Sequence, residues 1–148
     1  MRAIGRLIVV LLVLVAGAAA PVAAADCPHT PRPGSAERKA LMDTLRKPVM
    51  AELNQRVVFV VHTLRVCGEW AFIEASPQQP SGKPVVWRKT LYADAVRQDM
   101  CGGMVHSLLV KTSGRWRVKT HVVCATDVPW VAWAEDFGAP RKTLPRLQ

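Results

Sequence analysis

The chain has 148 residues, 20 Lys and Arg against 11 Asp and Glu, a formal charge of +9 and 50% hydrophobic residues. That length excludes a multidomain machine and a polytopic membrane protein, and the apolar content excludes a disordered tail. The averages mix two unlike segments. Residues 1–25 open with Met1, Arg2 and Arg6, run apolar from Leu7 to Ala16 and close on Ala23-Ala24-Ala25, the pattern of a secretory signal peptide cleaved before Asp26. The apolar run is too short for a membrane span. Its removal takes only Arg2 and Arg6, so the charge falls from +9 to +7. What remains, 26–148, is one domain able to bury one core. The Ala-rich signal end points to the periplasm, with secretion into the medium as the alternative.

All four cysteines, Cys27, Cys67, Cys101 and Cys124, fall in the exported part. An even count in an oxidising compartment reads as two disulfides, and the spacing fits neither a C-x-x-C redox centre nor a pair of zinc knuckles.

Residues 26–34 hold three prolines and a glycine and form an extended lead-in. Ser35 is placed to cap a helix in which Leu41, Leu45, Val49 and Leu53 recur every fourth residue, with Asp43 and Lys47 spaced for an ion pair. Pro48 interrupts the pattern and predicts a kink near Arg46 or a restart at Pro48. Two β-rich runs, Val57 to Val66 and Trp70 to Ala75, then form a hairpin. Strict alternation puts Val60, His62 and Leu64 on one face with Ala71 and Ile73, and Phe59, Val61 and Arg65 on the other with Trp70 and Phe72. The Pro- and Gly-rich connection 76–104 offers a short strand at Val85 to Trp87 and a helical turn at Tyr92 to Asp99. So long a connection in a small domain is often functional or mobile.

A second hairpin joins Val105–Lys111 to Arg115–Val123 through Ser113-Gly114. Unbroken register makes Val105 face Val122, Leu109 face Val118 and Lys111 face Trp116, with His106 opposite His121 on the alternate face. The chain closes with Asp127 as cap of a helix presenting Trp130, Trp133, Ala134 and Phe137, stopped by Gly138 and Pro140. A basic tail, 141–148, is expected to fray.

Two imidazoles on neighbouring strands are the sharpest chemical constellation, because His106 and His121 could share a zinc or copper ion; a stable site needs further ligands. His62, among apolar neighbours, reads as half-buried and hydrogen-bonded. The carboxylates Glu69, Glu74, Asp127 and Glu135 have no evident partner for acid–base chemistry. Trp70 and Trp116 fall at core positions of strands, and Trp130 and Trp133 on the docking face of the last helix, with a Trp-lined pocket as the alternative. The scattered cations suit an anionic envelope polymer or an acidic protein better than nucleic acid, since no aromatic residues interleave with them.

Gly114-Arg115-Trp116-Arg117-Val118, Trp70-Ala71-Phe72 and Thr126-Asp127-Val128-Pro129-Trp130 with Gly138-Ala139-Pro140 resemble segments of uncharacterised exported proteobacterial proteins with an NTF2-like or cystatin-like fold. The resemblance implies an α+β sheet of a kind that can carry a ligand pocket and assigns no catalytic residue.

The sequence therefore predicts an α+β domain, an N-terminal helix on a mainly antiparallel four- to five-stranded sheet with a short C-terminal helix. It reads as a non-enzymatic binding or accessory protein of the cell envelope, without a cofactor. The alternative is a small periplasmic hydrolase or metal-dependent enzyme using His106 and His121. Topology predicts the disulfides: Cys101 and Cys124 lie together at the open mouth of the second hairpin, and Cys27 and Cys67 at the opposite end of the sheet.

Overall fold

The computed structural model describes residues 27–147, so the signal-peptide reading of residues 1–25 lies outside it. Helix α1 spans Ala36–Leu53, and the Ser35 hydroxyl caps it by accepting the Arg38 N–H at 3.2 Å. Asn54 closes it in the left-handed conformation. Leu41, Leu45, Val49 and Leu53 are completely buried, which is the stripe the four-residue spacing predicts. The helix runs unbroken through Pro48 rather than restarting there. An interior proline costs about 3 kcal/mol; burying the stripe on both sides of it, at about 1.5–3 kcal/mol per large side chain, outweighs that. Asp43 pairs with Lys39 at 2.6 Å and with Arg46, not with Lys47 as the spacing suggested.

Strands β1 (Val58–Cys67), β2 (Trp70–Gln78), β3 (Met104–Thr112) and β4 (Arg115–Ala125) form one antiparallel sheet in chain order. The β3–β4 turn has φ of 50° at Ser113 and 73° at Gly114. Two positive values make the primed turn whose twist matches the strands, and glycine at the second position carries it without steric cost.

Register shifts interrupt both hairpins. In β1 the pairing passes from Val61 with Ala75 to Thr63 with Glu74, leaving His62 as an extra residue. Leu64, Ala71 and Ile73 keep the face that alternation gave them, but Phe59 and Val61 cross to join them against α1. His62 is accordingly exposed and bonded to the Ser76 hydroxyl at 2.8 Å, not half-buried among apolar neighbours. In β4 the extra residue is Lys119, so Leu109 faces Val118 and Lys111 faces Trp116 as expected, while Val105 faces Val123 instead of Val122.

The 79–103 connection forms no strand at Val85–Trp87, where a single 3-10 turn, Trp87–Lys89, replaces it. Helix α2, Ala93–Arg97, follows inside the expected helical turn. The connection is docked. The Gln55 side chain clamps Val86, donating to its carbonyl at 3.2 Å and accepting its N–H at 3.0 Å, while Val85 is buried in the α1-side core and Trp87, Tyr92 and Val96 pack against it.

The opposite sheet face carries Phe72 and Leu108, covered by Trp130, Trp133, Ala134, Ala139 and Leu144. The last helix is shorter than expected: α3 covers only Trp133–Phe137, follows Ala132, and leaves Asp127 exposed and outside it. The turns at 129–132 position Trp130 without helix, so the aromatic face docks although the cap does not form. The basic tail is packed, not frayed, as far as Leu144. Thr143, at the end of a 3-10 turn (Arg141–Thr143), and Leu144, which follows it, are buried, and Arg65 donates to the Lys142 carbonyl at 2.8 Å. Burial of Leu144 beside Trp130 and Phe72 supplies the anchor that the tail's composition conceals.

Disulfides join Cys27 to Cys67 and Cys101 to Cys124, the pairing that the topology predicts. The first ties the lead-in to β1, where His29 also bridges Val66. The second closes the open end of the β3–β4 hairpin. Replacing Cys27 and Cys67 together by Ser is expected to cost about 2–4 kcal/mol, because the unfolded chain regains its freedom. Urea unfolding of the double variant beside the parent checks this; an unchanged midpoint would mean that the lead-in is not held by the bridge.

Candidate functional site

The extra residue in β4 decides the fate of the two strand histidines. His106 faces Val122 and Glu74, whereas His121 faces Ser107, so the cross-strand pair His106–His121 does not form. His106 lies on the aromatic side, its ring centroid 6.5 Å from that of Phe72, and is buried with no partner for its Nδ1. His121 lies on the α1 side. Among the described residues no group of three His, Cys, Asp or Glu side chains is arranged to hold a metal ion.

Glu52 is His121's actual partner. Its carboxylate meets the His121 Nε2 at 2.8 Å through one oxygen and accepts the Tyr92 hydroxyl through the other. One carboxylate at the end of α1 thus ties β4 to the 79–103 connection. His121 and Glu52 are half-buried, with side chains 22% and 27% exposed, so the tie is partly screened. Sequence reasoning passed over Glu52. The only signal was a carboxylate next to Leu53 at the margin of the apolar stripe, where a helical side chain can still reach the sheet.

The other carboxylates do not converge. Glu69 is exposed in the β1–β2 turn, Glu74 is half-buried opposite His106, Asp127 is exposed, and Glu135 is exposed and bonded to Arg141 at 2.5 Å. Of the tryptophans, Trp116 is buried on the α1 side with the Lys111 ammonium 5.5 Å from its ring centroid. Trp70 is partly buried on the opposite side and Trp133 is in that core. Trp130 packs edge-on to Phe72 at 5.9 Å and also lines a cavity.

That cavity, of about 610 Å³, is a concave site of the size that holds a small molecule. It lies between the lead-in, β1 and the C-terminal segment, on the face away from α1. Arg65, Arg141, Lys142 and Arg146 supply four cationic side chains to its wall. Pro28, Trp130, Val131, Leu144, Pro145 and Leu147 supply the apolar lining. Arg65 gives one donor to the Lys142 carbonyl, while its buried Nε–H has no partner. Arg141 shares its charge with Glu135, and among the described residues Arg65, Lys142 and Arg146 meet no carboxylate. The chemistry on offer is recognition of an anion, since guanidinium groups present several donors in a planar fork.

Comparison of the chain with protein-family models, with curated proteins and with solved structures finds no match. Its chemistry is therefore read from the site alone.

Burial holds the His106 imidazole below the ordinary histidine range, with the charges of Glu74 and Asp127 opposing the shift. The unfolded chain takes up this proton near pH ~6.5, the folded chain only at lower pH, so folding stability falls as the pH drops through the window below ~6.5. Urea midpoints measured across that window are expected to decline for the parent and to flatten for His106→Leu. An identical decline in the variant would assign the proton to another group. Glu52→Gln should cost about 1–2 kcal/mol by weakening the hydrogen bonds to His121 and Tyr92. It should also speed proteolytic cleavage within 79–103, which limited proteolysis reads directly.

Proposed function

We propose that this protein is an exported, non-enzymatic binding or accessory protein of the cell envelope, and that it seats an anionic group of an envelope component in the cavity beside Arg65. The observation that carries the reading is the convergence of Arg65, Arg141, Lys142 and Arg146 on one apolar-lined cavity. Cations scattered over a surface serve solubility, but cations gathered around a concavity focus potential and concentrate an anionic ligand. Both disulfides belong to an oxidising, extracytoplasmic compartment. The periplasm is the proposed location. No helix among the described residues is long and apolar enough to cross a membrane.

The NTF2-like or cystatin-like resemblance belongs to the same proposal, supported by one long helix laid across an antiparallel sheet. A hydrolytic role would rest on His121 oriented by Glu52 rather than on His106 with His121, and the cavity is on the other face of the sheet from that pair.

Titration of the disulfide-intact protein with inorganic phosphate, followed by amide and indole chemical shifts, is expected to move Arg65, the Trp130 indole and residues 141–147 together. Arg65→Gln should weaken binding about tenfold, the equivalent of one charged hydrogen bond, and added salt should weaken it further. Shifts spread over the remote cations Lys39, Lys83 and Lys89 with none at Arg65 would overturn the proposal.

A further inference from the structure

The cavity wall is mixed in character, and its apolar part is not explained by an anion alone. Val131 is 41% exposed and Leu147 62% exposed, and both line the same cavity as the four cations. Single apolar side chains on a surface need no reason, but two at the mouth of one cavity, continuous with buried Trp130 and Leu144, form an apolar track. A polyanion would use the cations and leave that track in water. A neutral apolar ligand would use the track but leave the buried, unpartnered Arg65 Nε–H unsatisfied and make no use of the exposed Lys142 and Arg146.

We infer that the cavity binds single molecules of an anionic amphiphile, a phosphate or carboxylate head carrying a hydrocarbon chain, with the head on Arg65 and Arg146 and the chain along Trp130, Val131, Leu144 and Leu147. The inference rests on the reading of the cavity as an anion site and adds the class of the ligand. Size agrees. About 610 Å³ suits one small-molecule ligand rather than a length of polymer. The arrangement is also anchored on both sides: the Cys27–Cys67 bridge holds Pro28 in the wall, and the Arg65 bond to the Lys142 carbonyl holds the C-terminal segment against β1.

Trp130 lies in the wall, so tryptophan fluorescence reports binding in the intact protein. The probes are inorganic phosphate, a series of alkyl phosphates kept below micelle-forming concentrations, an alkyl glucoside of matched chain length, and polyglutamate. Affinity is expected to rise with each added methylene by up to about fourfold while the chain remains within the cavity, the factor for a fully buried methylene. The alkyl glucoside and polyglutamate should bind far more weakly than the longest alkyl phosphate. Leu147→Ser and Val131→Ser should flatten the chain-length dependence, whereas Arg146→Gln should weaken every phosphate, inorganic phosphate included. Equal affinity for inorganic and alkyl phosphates, or tighter binding of polyglutamate, would overturn the amphiphile while leaving the anion site in place. Equal affinity for the alkyl glucoside and the alkyl phosphate, or no binding of any phosphate, would overturn the anion site itself.

Discussion

A sheet with apolar side chains on both faces must be covered twice, and nearly every other feature of this domain follows from that requirement. Ile73 and Leu109 point to one side and Phe72 and Leu108 to the other, and all four are completely buried. Each such side chain contributes about 1.5–3 kcal/mol when withdrawn from water. The residues before the sheet supply α1 for the first face, and the residues after it supply the aromatic segment 130–144 for the second. The result is a three-layer domain in which the segments flanking the sheet are committed to packing, which is why the basic segment through Leu144 lies against β1.

The register shifts distribute side chains between the two layers. An extra residue at His62 sends Phe59 and Val61 to the helix side, and an extra residue at Lys119 does the same for His121. A third shift places Cys124 at φ 70°, opposite the end of β3, where it meets Cys101. Each bulge costs some ladder regularity and in exchange re-aims a particular group. His121 thereby reaches Glu52, and Lys119, on the other side, reaches the Phe137 ring, its ammonium 5.4 Å from the centroid. The two histidines that alternation makes neighbours are separated by the thickness of the sheet.

The cavity is a product of the second cover. The segment 130–144 crosses the sheet as turns, a one-turn-plus helix and a 3-10 turn, and leaves a gap beside β1. The gap is bordered by Arg65, whose position on β1 also makes it the neighbour of Phe72, and by the cations of the last segment. Charge that is spread through the sequence is gathered there by packing. The local field, more than the overall charge, is what an anionic ligand meets.

Several features are determined by the sequence alone because they depend on neighbours a few residues apart. The Leu41-Leu45-Val49-Leu53 stripe, the Ser35 cap, the Ser113-Gly114 turn and the four strands are local patterns, and they appear in the structure within a few residues of where they were read. The disulfide pairing was also legible, because hairpin connectivity fixes which strand ends share an edge of the sheet. Three things were decided only by the tertiary structure. One is the face on which His62, His106 and His121 stand, since a single inserted residue reverses a period of two and leaves no mark in composition. Another is the partnership of Glu52 with His121 and Tyr92, residues 69 and 40 positions from it in the chain. The last is the cavity, which joins Cys27 and Pro28, Arg65, Trp130 and side chains of the C-terminal segment from Arg141 to Leu147 other than Thr143. No periodicity connects these segments; they meet because the two faces of one sheet had to be closed by the segments that precede and follow it.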